Sequence, residues 1–130
     1  MRNMLKTIKA KLEHGEPLVL VTVIASSGAT PRGAGARMLV GKEGRICGTI
    51  GGGAVEYRSE QIAARVLEEQ TSLGHDFTLT KDDVQNLGMI CGGACNVFFH
   101  YIPAGDEHII GLCEKAEEQF RKGNALWLLI

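Results

Sequence analysis

The chain has no apolar run long enough to cross a bilayer and no apolar signal core among its first residues. A membrane-embedded protein is therefore not expected, and a cytoplasmic one is. It has no excess of either charge, since 14 Lys and Arg stand against 15 Asp and Glu, so the basic character of a general nucleic-acid binder is missing. Its four cysteines, Cys47, Cys91, Cys95 and Cys113, form no zinc pattern, because Cys91 and Cys95 lack two further Cys or His ligands at readable spacing. Without an export signal they read as reduced thiols rather than as a disulfide framework. There is no P-loop, which needs Gly-Lys-Ser/Thr, and no dinucleotide Gly-x-Gly-x-x-Gly pattern. No histidine stands near Cys91 in the sequence to serve as the base of a nucleophile.

Glycine is plentiful, 17 of 130 residues, and it is clustered rather than periodic, which points to functional loops instead of fibrous or disordered chain. A chain of this length is enough for one domain that buries about two-thirds of its unfolded surface, with no staple required. Charge is uneven along it. Arg32, Arg37, Lys42, Arg45 and Arg58 face only Glu43 and Glu56 in the Gly-rich half, while Asp106, Glu107, Glu114, Glu117 and Glu118 cluster later. The first half would favour a small anion, although a few arginines are also ordinary surface residues.

The periodicities predict an α/β domain over 1–130: a mixed sheet flanked by helices, with a site formed by three loops at one end of the sheet. Met4, Leu5, Ile8 and Leu12 make one helical stripe stopped by Gly15. The run from Leu18 to Ala25 is β-branched and reads as a strand buried on both faces. A hairpin follows, Ala36 to Val40 and Arg45 to Ile50, turning at Gly41-Lys42-Glu43-Gly44. A second helix after Gly53 places Val55, Ile62 and Val66 on one face, with Ala63 and Leu67 beside them. Phe77 to Thr80 and Asn96 to Ile102 read as strands, and Asp82 or Asp83 as a turn cap. Asp106 caps a third helix with Ile109, Leu112, Cys113, Ala116 and Phe120 inward. The last residues, Leu126 to Ile130, repeat the helix, glycine, strand order of the N-terminus and stop within an apolar strand. An exposed apolar edge associates unless covered, so an oligomer or a further domain is expected.

Three segments carry candidate chemistry. Ser26-Ser27-Gly28-Ala29-Thr30-Pro31-Arg32-Gly33 follows a buried strand, where α/β sheets bind ligands. Its backbone N–H groups and Arg32 could hold an anion, or the loop could be a turn that satisfies itself. Gly51-Gly52-Gly53 before a helix offers N–H groups and the positive end of the helix dipole, or merely close packing. Glu56, in the first turn of that helix, is sufficiently explained by the dipole. Met89-Ile90-Cys91-Gly92-Gly93-Ala94-Cys95 sets a thiol on a permissive backbone that lets a bulky partner approach. Cys47, Cys95 and Cys113 read as small buried hydrophobes.

Taken in order, Ser27-Gly28-Ala29-Thr30-Pro31-Arg32, Gly35-Ala36-Arg37-Met38-Leu39-Val40, Gly48-Thr49-Ile50-Gly51-Gly52-Gly53-Ala54-Val55-Glu56 and Met89-Ile90-Cys91-Gly92-Gly93 resemble the N-terminal domain of the XdhC/CoxI family. Members are accessory factors for xanthine dehydrogenase and related molybdenum hydroxylases. The resemblance implies a chaperone that binds molybdenum cofactor (molybdopterin) transiently, assists its maturation and inserts it into an apo-hydroxylase, without substrate turnover of its own. A cysteine desulfurase would be a further partner, and the chain a homo-oligomer. Cys91 would meet the cofactor or its molybdenum, with Gly92 and Gly93 beside it. Gly28, Thr30, Arg32, Gly51, Gly52, Gly53 and Glu56 would surround the pterin and its phosphate. A soft thiolate suits the metal and backbone N–H groups suit the phosphate.

Two departures from the family pattern stand out. The Rossmann-like C-terminal domain usual in the family is not in this sequence, so a fragment or a shortened paralogue is expected. Cys95 is foreign to the pattern, which keeps two rivals open: a thiol-dependent redox protein using Cys91 and Cys95, and a structural interaction domain.

Overall fold

A computed structural model describes residues 2–27, 34–78 and 94–123. The elements run α1 (Arg2–Glu13), β1 (Leu18–Ser27), β2 (Arg37–Gly41), β3 (Gly44–Gly48), α2 (Gly53–Glu69), β4 (Leu73–Thr78), β5 (Ala94–Ile102) and α3 (Glu107–Arg121). The five strands form one sheet in the order β3-β2-β1-β5-β4. The α/β class expected from the sequence is the class found. Two compact units divide the chain: residues 19–101, and a second in which residues 2–18 and 102–123 are described.

In the larger unit, β1 pairs antiparallel with β2 through Val19↔Val40 and Val21↔Met38. β2 pairs antiparallel with β3, with an irregularity between Leu39 and Val40. β4 pairs antiparallel with β5, setting Leu73 opposite Phe99 and Phe77 opposite Cys95. Alternate residues of one sheet face, Val19, Val21, Val23, Met38, Val40, Val97 and Phe99, pack against Val55, Ala63 and Val66 of α2. This is the period-2 strand pattern meeting the helical i, i+3, i+4 pattern across one core. The buried stripe of α2 is Val55, Ser59, Ala63 and Val66. Ile62 and Leu67 sit half-buried beside it, so the stripe is rotated by part of a turn from the expected one. Ser59 escapes a sequence reading because a lone hydroxyl gives no apolar signal; it is fully buried, and its Oγ has no hydrogen-bond partner among the described residues.

β1 is buried on both faces only over its first half, since Ile24 is 54% exposed. β3 ends at Gly48, two residues short of the expected strand. Cys47 is half-exposed rather than packed, whereas Cys95 and Cys113 are buried as expected. Residues 79–80 of the expected strand, the caps at Asp82 or Asp83, and the terminal strand from Leu126 lie outside the described residues.

In the second unit, α1 buries Met4, Leu5, Ile8 and Leu12 and packs against α3, which buries Ile109, Cys113 and Ala116. Asp106 caps α3 as predicted, its Oδ1 accepting from the Ile109 N–H at 3.0 Å. Gly15, at φ 80°, ends α1. Among the described residues no helix is long and apolar enough to cross a membrane.

Candidate functional site

Of the three loops expected to form the site, the structure describes the one between β3 and α2. Gly28, Thr30, Arg32, Cys91, Gly92 and Gly93 lie outside the described residues. Gly51, Gly52, Gly53 and Glu56 are described; Gly51, Gly52 and Glu56 form one hydrogen-bonded assembly with Thr49, and Arg45 joins it through Glu56.

The loop is built on backbone that only glycine adopts readily. Gly51, Gly52 and Gly53 have φ of 129°, 74° and 66°, three consecutive residues in the positive region. Gly52, the residue before α2, has ψ of −168°, a combination essentially closed to other residues. A Cβ added there would meet nothing within 4 Å, so backbone conformation rather than space demands glycine at this position.

Glu56 reaches back over the loop from the first turn of α2. Its Oε1 accepts from the Ile50 N–H at 3.1 Å and the Gly52 N–H at 3.3 Å, and from the Thr49 hydroxyl. The Thr49 Oγ1 in turn accepts from the Gly51 N–H at 3.1 Å. Oε2 lies 3.6 Å from Nε of Arg45. Arg45 also donates from Nη1 to the Gly48 carbonyl at 2.8 Å, and its backbone N–H donates to Oε1 of Glu60 at 3.0 Å. The arrangement resembles a capping box, in which a glutamate near the helix start reaches back to the cap N–H.

The expected nest of open N–H groups is therefore largely filled from within. Ile50, Gly51 and Gly52 have internal acceptors, and the carboxylate occupies the place an external anion would take. Dipole stabilisation alone does not account for Glu56, whose side chain is only 13% exposed. Partial burial pushes its carboxyl up, but the Thr49 hydroxyl, the Ile50 and Gly52 N–H groups and the Arg45 guanidinium outweigh burial and hold it below its ordinary value. The carboxylate is thus ionised at neutral pH. The signal that could have revealed this is the glutamate four residues beyond Gly52, a reach-back spacing. Its partner Arg45 gives no such signal, being brought in by the hairpin.

The described thiols all lie above their ordinary value. Burial pushes the Cys95 and Cys113 thiols up, and burial raises Cys47 against the opposing charge of Arg45. Among the described residues, no three His, Cys, Asp or Glu side chains come together to hold a metal.

Residues 11–78 match the family model described as XdhC and CoxI family. A protein of Escherichia coli K12 called YqeB is 37% identical over 93 residues, 71% of this chain and 17% of that one. A Bacillus subtilis 168 protein named as a probable xanthine dehydrogenase component is 34% identical, over 77% of this chain and 30% of its own. The molybdenum cofactor insertion chaperone PaoD of Escherichia coli K12 is 31% identical, over 76% and 31%. A crystal structure of a Bacillus halodurans protein described as a xanthine dehydrogenase superposes with a TM-score of 0.73 at 24% identity. The match covers 88% of this chain and 34% of that one, and the two share the fold. The chain thus spans less than a third of the length of the curated relatives it matches.

Proposed function

The chain belongs to the XdhC and CoxI family, and from that premise we propose that it binds molybdenum cofactor as cargo and assists its maturation and insertion into a xanthine dehydrogenase-type hydroxylase. The observation that carries this reading is the family match together with 31% identity to a relative named as a molybdenum cofactor insertion chaperone. The β3–α2 loop supports it. With its Ile50, Gly51 and Gly52 N–H groups taken internally, what it offers the anionic end of a pterin phosphate is the half-exposed Arg45 guanidinium held at the start of a 17-residue helix.

In this reading Cys91 meets the cofactor or its molybdenum, with Gly92 and Gly93 beside it. Gly28, Thr30, Arg32, Gly51, Gly52, Gly53 and Glu56 form the remainder of the site. The recipient is an apo-hydroxylase, a cysteine desulfurase supplies sulfur during maturation, and the chain works as a homo-oligomer in the cytoplasm without turnover of its own. The rival redox reading, with Cys91 and Cys95 cycling as a pair, is disfavoured by the burial of Cys95 and the raised position of its thiol.

An anaerobic titration of the 130-residue chain with molybdenum cofactor tests the proposal, wild type beside Cys91→Ala, with bound pterin measured after gel filtration. Stoichiometric retention by wild type and its loss in the variant are expected. Equal retention by both would remove Cys91 from the site. No retention by either would overturn cofactor binding by this chain.

A further inference from the structure

We propose that Glu56 is a positioning residue: it holds the loop of residues 48–53 in its receptive conformation from within and does not itself contact the cargo. The inference rests on the cofactor reading above and assigns one member of that site a different task.

The geometry requires an internal role. Three hydrogen bonds, from two backbone N–H groups and the Thr49 hydroxyl, converge on Oε1, and Oε2 faces the Arg45 guanidinium at 3.6 Å. An anionic ligand would gain nothing from a group of its own sign, and displacing Glu56 would strand a mostly buried charge. Three consecutive glycines at positive φ impose no side-chain restraint, and Gly52 caps α2 with no side-chain bond of its own. Among the described residues, the Glu56 carboxylate takes two of the loop's N–H groups, and the Thr49 hydroxyl it also accepts from takes a third.

Arg45 completes the device. It is tethered at the Glu60 carboxylate through its backbone, at the Gly48 carbonyl through Nη1 and at Glu56 through Nε. These ties hold a 45% exposed guanidinium at the loop's border. Glu56 therefore orders the loop backbone and aims the neighbouring cation, both before any ligand arrives. Preorganisation of this kind raises affinity by removing the ordering cost from the binding step.

The test compares the 130-residue wild type with Glu56→Ala and Glu56→Gln. Amide exchange is followed at Ile50 and Gly52, and molybdenum cofactor retention is measured on the same preparations. Gln keeps one acceptor oxygen for the loop donors and loses the charge, whereas Ala loses both. Exchange at the two amides is expected to rise about 10-fold or more in Glu56→Ala and to stay near wild type in Glu56→Gln. Cofactor retention is expected to follow exchange, weakened about 10-fold or more by Ala and largely rescued by Gln. If Gln weakens retention as much as Ala while its amides stay protected, Glu56 acts on the ligand by charge and the positioning role is overturned. Faster exchange in Glu56→Ala with unchanged retention also overturns it, and so does unchanged exchange. Absence of retention by wild type is a different failure: it defeats the cofactor reading, and the positioning role for that cargo falls with it.

Discussion

The backbone N–H of Arg45 donates to the Glu60 carboxylate at 3.0 Å, one helical turn beyond the Glu56 carboxylate that meets the guanidinium of the same arginine. Two acidic residues four apart on α2 therefore grip a single residue of the edge strand β3. Both lie on the side of the helix that faces β3, because residues i and i+4 share a face. The helix is thereby fixed to the hairpin at the point where the Gly-rich loop must turn.

Acid should weaken this grip. Glu56 titrates below the ordinary glutamate value of about 4.3, so its folded form is favoured when ionised. The sign follows: its stabilisation is fully present above the ordinary value and is lost as pH falls through the lower folded value. Replacing Glu56 with Ala should cost about 1–3 kcal/mol at pH 7, from the loss of charged hydrogen bonds. Little of that comes from the half-exposed Arg45 pair. Urea unfolding at pH 7 and at pH 3 should show the gap between the two proteins closing in acid.

Gly52→Ala isolates the backbone contribution. Space is open around an added Cβ, so any loss comes from φ of 74° with ψ of −168°. A destabilisation of about 1–3 kcal/mol is expected in thermal or urea unfolding. No destabilisation would mean that the loop takes another conformation at little cost.

Phe98 and Phe99 are adjacent in β5 and face opposite ways. Phe99 is fully buried in the core shared with α2, while Phe98 is 39% exposed. Phe99→Ala should destabilise by about 3–5 kcal/mol. Phe98→Ala should cost well under half of that, roughly 1 kcal/mol. Equal losses in urea unfolding would contradict the facing of β5.

Cys95 should resist thiol reagents in the native protein. It is 5% exposed and burial pushes its thiol up, so thiolate at pH 7 is scarce. Labelling with Ellman's reagent should be on the order of 100-fold slower at Cys95 in buffer than in urea, since modification requires local opening. Cys95→Ser should leave cofactor retention unchanged. Rapid native labelling at Cys95 would revive the redox reading.

Much of this molecule was legible as local pattern. The stripe Met4, Leu5, Ile8 and Leu12, the Asp106 cap and the hairpin turning after Gly41 all repeat in the structure, because helix period, strand period and turn chemistry act over a few residues. The four ordered motifs likewise identified the family before any geometry was known. What the sequence could not display was contact between distant positions. The placing of β5 beside β1, the burial of Ser59 and the meeting of Arg45 with Glu56 and Glu60 depend on how the sheet is assembled. Such contacts close long loops and leave no periodic trace, so only the tertiary structure decided that a glutamate read as a dipole partner is the internal anion on which the glycine loop is built.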